Sequence, residues 1–232
     1  RDAVFACASH ASPEATLPAV ISCASVSEKS HPALSKDVLS EPISPAVTSV
    51  ISRTGNWGFV EAFGGIGTTV RALSQEGLTP LGICENNPLC LSLLARTWPD
   101  AQLSTDFHSD DWRVWDSRSV RVLTGGPSCT PYAGCGKMSG SAHPCASQLS
   151  DMAGMASHLD VDLAVIENVV DLLRFQDVLE HTDRQFAEVG YARVLTFIMR
   201  HNSVGGSSSR RRVFLWYEKE EFTQLLPPHV SW

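Results

Sequence analysis

The chain has 232 residues, of which 43% are hydrophobic and 19% are charged. These proportions fit a globular protein with a sizeable core and exclude a fibrous or wholly disordered chain. The formal net charge of −7 argues against strong autonomous binding to nucleic acid, since phosphate contacts normally need a basic surface, but it leaves room for a local basic patch.

Three further features bear on the cellular setting. No apolar run approaches the roughly 18–20 residues that cross a bilayer, so we expect no membrane association. The seven cysteines include no C-x-x-C pair, which indicates reduced thiols in an intracellular compartment and argues against a disulfide framework or a cysteine zinc site. The first residues lack an initiator Met and the apolar region of a signal peptide, so we expect a fragment of an intracellular protein.

The first quarter of the chain differs from the rest. In residues 1–55, Ala, Ser, Pro and Val recur without a period of 2 or 3.6, which predicts a low-complexity tail or linker. We expect one ordered domain over residues 56–220 and a short C-terminal tail over residues 221–232.

The ordered part opens with a strand, a glycine turn and a helix. Residues 57–63 predict the strand, residues 64–67 the turn, and residues 68–73 the start of a helix capped by threonine. In this arrangement the backbone and the helix N-terminus can approach a nucleotide-like ligand. The alternative is a turn that needs glycine for its geometry alone.

An acidic residue follows the second predicted strand. That strand covers residues 79–84, and Glu85 and Asn86 come next, before a helix over residues 88–94. A carboxylate about 20 residues past such a glycine turn is placed to hydrogen-bond a ribose hydroxyl. The alternative is a solvated carboxylate at a helix start. Asp106, in the next acidic loop, either faces an adenine amino group or is simply solvated.

A cysteine follows the strand predicted over residues 120–124. Two glycines and two prolines break regular structure around Cys129 and leave it on a loop at the carboxyl end of the strand, where open α/β sheets bind ligands. A nucleophile and a buried, idle thiol are both compatible with this stretch. The small residues at 133–140 indicate either a mobile flap or disorder.

The last third of the chain adds an acid and a group of cations. A helix over residues 148–159 and a strand over residues 161–166 lead to Glu167 and Asn168, which together could read the edge of a heterocyclic ring or could cap a helix over residues 169–179. The remaining elements are a helix over 177–189 ended by Gly190, a strand over 191–199, a loop over 202–209 and a strand over 213–217. The arginines at 210–212 form either a phosphate clamp or an ordinary solvated cluster.

Taken together, these motifs resemble the cytosine-C5 DNA methyltransferases over about residues 57–217. The order matches: a Phe-Gly-x-Gly turn, an acidic ribose residue, a Gly-Gly-Pro-x-Cys loop, Glu-Asn-Val, and Arg-x-Arg entering a strand. The resemblance implies an α/β fold with a mostly parallel, doubly wound, Rossmann-like sheet that uses S-adenosyl-L-methionine. It also implies DNA as the partner and a nuclear location if the source is eukaryotic.

The resemblance also implies roles for single residues. Cys129 would attack C6 of a flipped cytosine, Glu167 would hydrogen-bond the ring at N3 and the amine, and Arg212 would contact O2. Arg210 would support the loop around Cys129 (residues 125–132, the nucleophile loop), which Pro127 shapes. Asn168 completes the catalytic set. The residues expected to hold the cofactor are Phe63, Gly65, Ile66, Gly67, Glu85, Asn86 and Asp106.

The sequence also departs from the family pattern. Glu61 stands where the family has Asp, and Ser128, Thr130 and Tyr132 replace residues of the nucleophile loop. Ser208 replaces a glutamine, and we find neither the target-recognition region nor the last motifs. We therefore expect a DNA cytosine-C5 methyltransferase domain that is incomplete; the alternatives are a catalytically impaired module that binds the cofactor or a partner, and an RNA cytosine-C5 methyltransferase.

Overall fold

The computed structural model describes residues 57–107, 120–134, 138–205 and 207–220. The predicted tails at 1–55 and 221–232, Asp110 and Asp111 of the acidic loop, and the centre of the predicted flap at 135–137 lie outside the described residues. Within the described ranges, no helix is long and apolar enough to cross a membrane.

Seven strands and four α-helices alternate along the described part of the chain. The elements are β1 (Gly58–Ala62), α1 (Thr68–Gln75), β2 (Thr79–Cys84), α2 (Pro88–Thr97), β3 (Gln102–Ser104), β4 (Val120–Gly125), α3 (Gln148–Leu159), β5 (Leu163–Val169), α4 (Gln176–Glu188), β6 (Tyr191–Arg200) and β7 (Arg211–Lys219). Short 3₁₀ turns cover Gly140–Ala142, Val170–Arg174 and His201–Val204.

The strands form one sheet in the order β3-β2-β1-β4-β5-β7-β6. The first five strands of this order are parallel, and β7 runs antiparallel to both β5 and β6. This confirms the predicted mostly parallel α/β sheet. The chain order reverses between β1 and β4, and a crevice at the carboxyl ends of two such strands is where sheets of this kind bind ligands.

Helices cover the two faces of the sheet, and alternate strand residues point into separate cores. Leu123 packs with side chains of α3 and α4, whereas its neighbour Val122 packs with those of α1 and α2. Adjacent residues of β4 therefore supply both cores, which explains why Val122 and Leu123 are both apolar and buried.

Two strands are longer than the sequence predicts. The strand expected to end at residue 166 continues through Val169, and the strand expected to begin at residue 213 begins at Arg211. The physical reason is mutual pairing, because Glu167, Asn168 and Val169 lie opposite Phe214, Val213 and Arg212 in the β5–β7 ladder. The three-residue strand β3 carries too little pattern to be predicted.

Helix ends also differ from the prediction at two places. Gly67, with φ of 82°, occupies the N-cap position of α1 and no side chain caps this helix, so the threonine cap is wrong. The helix considered over residues 169–179 is also wrong, because a 3₁₀ turn covers Val170–Arg174 and α4 begins at Gln176. Gly190, with φ of 85°, follows the C-cap residue of α4 and confirms the predicted stop.

A buried carboxyl group connects the two central strands. Glu61 in β1 is 3% exposed and accepts a short hydrogen bond from the hydroxyl of Thr124 in β4. Burial raises the pKa of Glu61 from its ordinary 4.5 to about 8; hydrogen bonds from Thr124 and Thr69 act against this rise, and the charge of Glu167 adds to it. Glu61 is therefore a neutral acid near pH 7.

The raised pKa of Glu61 predicts that stability falls with rising pH. Between about pH 4.5 and 8 the folded protein keeps a proton that the unfolded chain releases, so the free energy of unfolding drops by up to about 1.4 kcal/mol per pH unit. Glu61→Gln should flatten this slope in urea titrations across the pH range. The exposed Glu76→Gln serves as the control, and equal slopes in the wild type and in Glu61→Gln would contradict the prediction.

Candidate active site

The nucleophile loop is an ordered turn that presents an exposed thiol. Cys129 is exposed, which excludes the buried-thiol interpretation. Its carbonyl accepts hydrogen bonds from the backbone N–H groups of Tyr132 and Ala133, at 3.0 and 2.9 Å. On the other side, the N–H of Ser128 donates to Oε1 of Gln148 at 3.1 Å. The thiol is thus accessible while the backbone on both sides of it is held.

Residues that depart from the family pattern have partners within this loop. The Ser128 hydroxyl donates to the Thr130 hydroxyl at 3.0 Å and accepts from the Thr130 backbone N–H at 3.3 Å. The side chain of Tyr132 is 1% exposed and its ring packs on Phe175, with centroids 5.5 Å apart. The substitutions therefore supply hydrogen bonds and packing of their own.

A buried amide joins this loop to the neighbouring strand. Asn168 in β5 is 1% exposed, and its Nδ2 donates to the carbonyl of Pro127 at 3.2 Å. Its Oδ1 accepts from the N–H of Val169 at 2.8 Å, so both ends of the amide are satisfied. Asn168 does not cap a helix. Its side-chain amide supports the nucleophile loop through the hydrogen bond to Pro127.

Glu167 lies on the opposite face of β5 and forms an ion pair with Arg212. Oε1 of Glu167 is 2.7 Å from Nε of Arg212, and the two side chains are 35% and 23% exposed. A Cβ built on Gly126 would lie 3.4 Å from Oε2 of Glu167, so the carboxylate rests against the start of the nucleophile loop. The predicted acid, cation and cysteine loop thus meet at one edge of the sheet.

Arg210 is placed differently from Arg212. Its side chain is exposed and, among the described residues, makes no hydrogen bond or ion pair; its carbonyl accepts from the N–H of His201 at 2.8 Å. The support of the nucleophile loop expected of Arg210 remains a prediction.

Glu85 organises the other half of the edge. One carboxylate oxygen accepts from the N–H of Gly65 and the other from the N–H of Asn87, both at 2.7 Å. The side chain of Asn87 in turn caps α2 by accepting from Leu89 and Cys90. Glu85 therefore braces both the glycine turn and the start of the helix, instead of being a freely solvated carboxylate.

The glycines of the turn have distinct roles. A Cβ on Gly64 would lie 2.4 Å from Ile83, and one on Gly67 would lie 2.4 Å from the ring of Trp98, so both are needed for close packing. Gly65 has φ of 53° and open space where a side chain would stand. Of the turn glycines, Gly65 thus offers the backbone a ligand could approach.

Apolar and polar groups flank this open position. Phe63 adopts a left-handed φ of 61°, uncommon for a residue with a side chain, and its ring stacks on Phe107 at 5.0 Å. Ile66 is 66% exposed, Asn86 is exposed, and the backbone of exposed Asp106 is held by the Ser104 hydroxyl. An open backbone, a ring stack and a carboxylate fit a nucleoside-containing cofactor.

Several residues that shape the site were not singled out from the sequence as supports. Thr124, Gln148 and Phe107 acquire their roles only when distant segments meet, and nothing in their local sequence marks them. The sequence marks Glu61 only as a departure from the family pattern. The Asn-Pro pair that begins α2 at Asn87 is the one local signal that could have revealed such a support.

A protein-family model matches most of this amino-acid sequence. The family model described as C-5 cytosine-specific DNA methylase matches residues 57–229. No curated protein matches the chain.

Solved structures of low sequence identity share the fold. A mutant of DNMT2 from Spodoptera frugiperda has 20% identity and a TM-score of 0.58 over 72% of this chain and 51% of its own. The Entamoeba histolytica methyltransferase EhMeth has 16% identity and a TM-score of 0.57 over 73% of this chain and 55% of its own. The S. pombe Dnmt2 methyltransferase has 17% identity and a TM-score of 0.56 over 71% of this chain and 51% of its own.

The chain spans about half the length of these solved structures. The family match covers most of the chain and includes the cysteine loop, the Glu167–Arg212 pair and the glycine turn. The chain belongs to the C-5 cytosine-specific DNA methylase family.

Proposed function

We propose that this chain carries the catalytic machinery of an S-adenosyl-L-methionine-dependent methyltransferase that acts on C5 of cytosine in DNA. The observation that carries the proposal is the exposed Cys129 on a held loop, beside the Glu167–Arg212 ion pair. A nucleophile, a carboxylate and a guanidinium at one sheet edge are the groups that covalent activation of a pyrimidine ring requires.

Each of these residues has a defined task in the proposed reaction. The thiolate of Cys129 forms a bond to C6 of a cytosine flipped out of its stack, and the electron pair displaced from the C5–C6 double bond makes C5 nucleophilic. A proton shared between a carboxyl oxygen of Glu167 and N3 neutralises the negative charge that develops on the ring, and the other oxygen accepts a hydrogen bond from the exocyclic amine. Arg212 orients Glu167 and contacts O2 of the ring.

The glycine turn and Glu85 form the proposed cofactor site. S-adenosyl-L-methionine, when bound, supplies an electrophilic methyl group. Glu85 would hold the ribose hydroxyls, and the backbone at Gly65 would approach the ligand where the structure leaves open space. Ile66 and the Phe63–Phe107 stack would provide apolar contact for the adenine, with Asn86 and Asp106 at its rim and Gly67 starting α1 beneath it.

Replacement of Cys129 is the first test of the proposed function. Cys129→Ser should abolish the covalent complex with 5-fluorocytosine duplex DNA, because a serine hydroxyl is not ionised at neutral pH, and should leave the affinity for S-adenosyl-L-methionine nearly unchanged. Denaturing gel electrophoresis of the complex and calorimetry make the two measurements.

Cys90→Ser is the matched control, since Cys90 is a partly buried thiol in α2. Unaltered methyl transfer by Cys129→Ser would overturn the mechanism. Absence of the complex in the wild-type chain would favour a non-catalytic module, and a complex with fluorocytosine RNA but not DNA would make RNA the substrate.

The second prediction concerns Glu85. Glu85→Ala should weaken S-adenosyl-L-methionine binding by roughly 10- to 100-fold, the usual effect of removing a hydrogen bond to a charged group. Isothermal calorimetry measures this loss. Glu76→Ala removes an exposed carboxylate at the other end of α1, away from the glycine turn, and should bind like the wild type. Equal affinities in Glu85→Ala and the wild type would remove Glu85 from the cofactor site.

A further inference from the structure

One ribbon of the sheet is rich in arginine, although the chain as a whole is acidic. Between Tyr191 and Tyr217 the sequence contains five arginines and no Asp or Glu, although the whole chain has a net charge of −7. This segment comprises β6, the connection and the first seven residues of β7, which continues through Glu218 to Lys219. Two of the five, Arg193 and Arg212, form ion pairs, and arginines without acidic partners in an acidic protein indicate a surface that attracts anions.

Two of these arginines face each other across the ribbon. Arg200, the last residue of β6, pairs in register with Arg211, the first residue of β7. Directly opposed like charges in an antiparallel pair destabilise it. The ribbon therefore carries an electrostatic cost that folding by itself does not explain.

The Arg200–Arg211 pair lies at the edge of the sheet where β5 ends, on the face that carries Asn168 and opposite to the face of Glu167 and Arg212. Val213 is paired with Asn168 on one side and with Ile198 on the other, and residues two positions apart on a strand share a face. Arg200 and Arg211 thus form the next row on that face, about 7 Å beyond the row that contains Asn168. Asn168 is the residue whose amide holds Pro127.

Neither arginine has an acidic partner in the described part of the chain. Arg193 is paired with Asp183 at 2.8 Å and Arg212 with Glu167 at 2.7 Å, but no described carboxylate pairs with Arg200 or Arg211. Arg211 is exposed, and Nε of Arg200 is buried with no hydrogen-bond partner there. Arg200 and Arg211 therefore differ from Arg193 and Arg212, whose side chains are held in ion pairs.

We propose that Arg200 and Arg211 bind the phosphate backbone of the nucleic acid whose cytosine enters the site. This inference rests on the proposed function, which supplies the polyanion. Guanidinium groups donate to phosphate oxygens in a forked geometry, and a strand ribbon holds them at a fixed spacing. The exposed Ser207 and Ser209 of the connection carry hydroxyl groups that can also donate to phosphate.

Salt titration of nucleic-acid binding tests this surface. Binding of the 232-residue chain to a labelled 25-base-pair duplex is followed by fluorescence anisotropy between about 0.05 and 0.3 M KCl. Arg200→Ala/Arg211→Ala should lower the steepness of log K, the logarithm of the binding constant, against log salt by about 1.8, since each lost phosphate contact lowers it by about 0.9. The same double variant should weaken binding at least about tenfold at 0.1 M salt.

Two further variants control for charge and for folding. Arg96→Ala/Arg184→Ala removes the same charge from exposed positions near the ends of α2 and α4, away from the site, and should keep the wild-type slope. Arg200→Lys/Arg211→Lys keeps both charges and should also keep the slope. Arg211→Ala alone, at an exposed position, should lower it by about 0.9 even if the double variant folds poorly.

The outcomes separate this proposal from the proposed function. A slope unchanged by Arg211→Ala and by the double variant would overturn the phosphate surface, while formation of the Cys129 adduct would still support the methyltransferase. Equal losses in Arg96→Ala/Arg184→Ala would likewise overturn it, since net charge alone would then explain the effect. No binding by the wild type at 0.05 M salt would also overturn it, and cofactor calorimetry would still test the methyltransferase separately.

Discussion

The site depends on the hydrogen bond between the buried amide of Asn168 and the carbonyl of Pro127. A buried amide must satisfy both its donor and its acceptor, and Asn168 does so with one bond to the loop and one to its own strand. The bond therefore fixes the loop after β4 relative to the end of β5. The thiol of Cys129 can be exposed without being mobile because the backbone just before it is held in this way.

Strand pairing assigns neighbouring residues to different tasks. Asn168 faces the core and supports the loop, while Glu167, one position earlier, faces the other side and meets Arg212. A shift of one residue in the β5–β7 register would exchange these faces and place a carboxylate in the core. The antiparallel strand β7 is thus part of the site, because it both sets this register and delivers the arginine.

Two carboxyl groups close to the glycine turn have different surroundings. Glu85 braces the turn with both oxygens, whereas Glu61 is held neutral by burial between the central strands. Glu61 and Thr124 are paired in the β1–β4 ladder, which brings the carboxyl group of Glu61 to the hydroxyl of Thr124. Close packing at Gly64 and Gly67 then leaves Gly65 as the position of the turn that is open to a ligand.

The sequence by itself determined the sheet class, most strand and helix positions, and the identity of the cysteine, acid and glycine motifs. These features are local: apolar periodicity marks strands, glycine and proline mark turns, and motif spacing links them. Tertiary structure decided what distant segments do to each other. The extension of β5 through Val169 requires pairing with β7, the task of Asn168 requires Pro127 to be near, and the pKa of Glu61 requires burial beside Thr124. The opposition of Arg200 and Arg211 is likewise a matter of register, and because ten residues lie between these arginines in the chain, their local pattern does not indicate that they face each other.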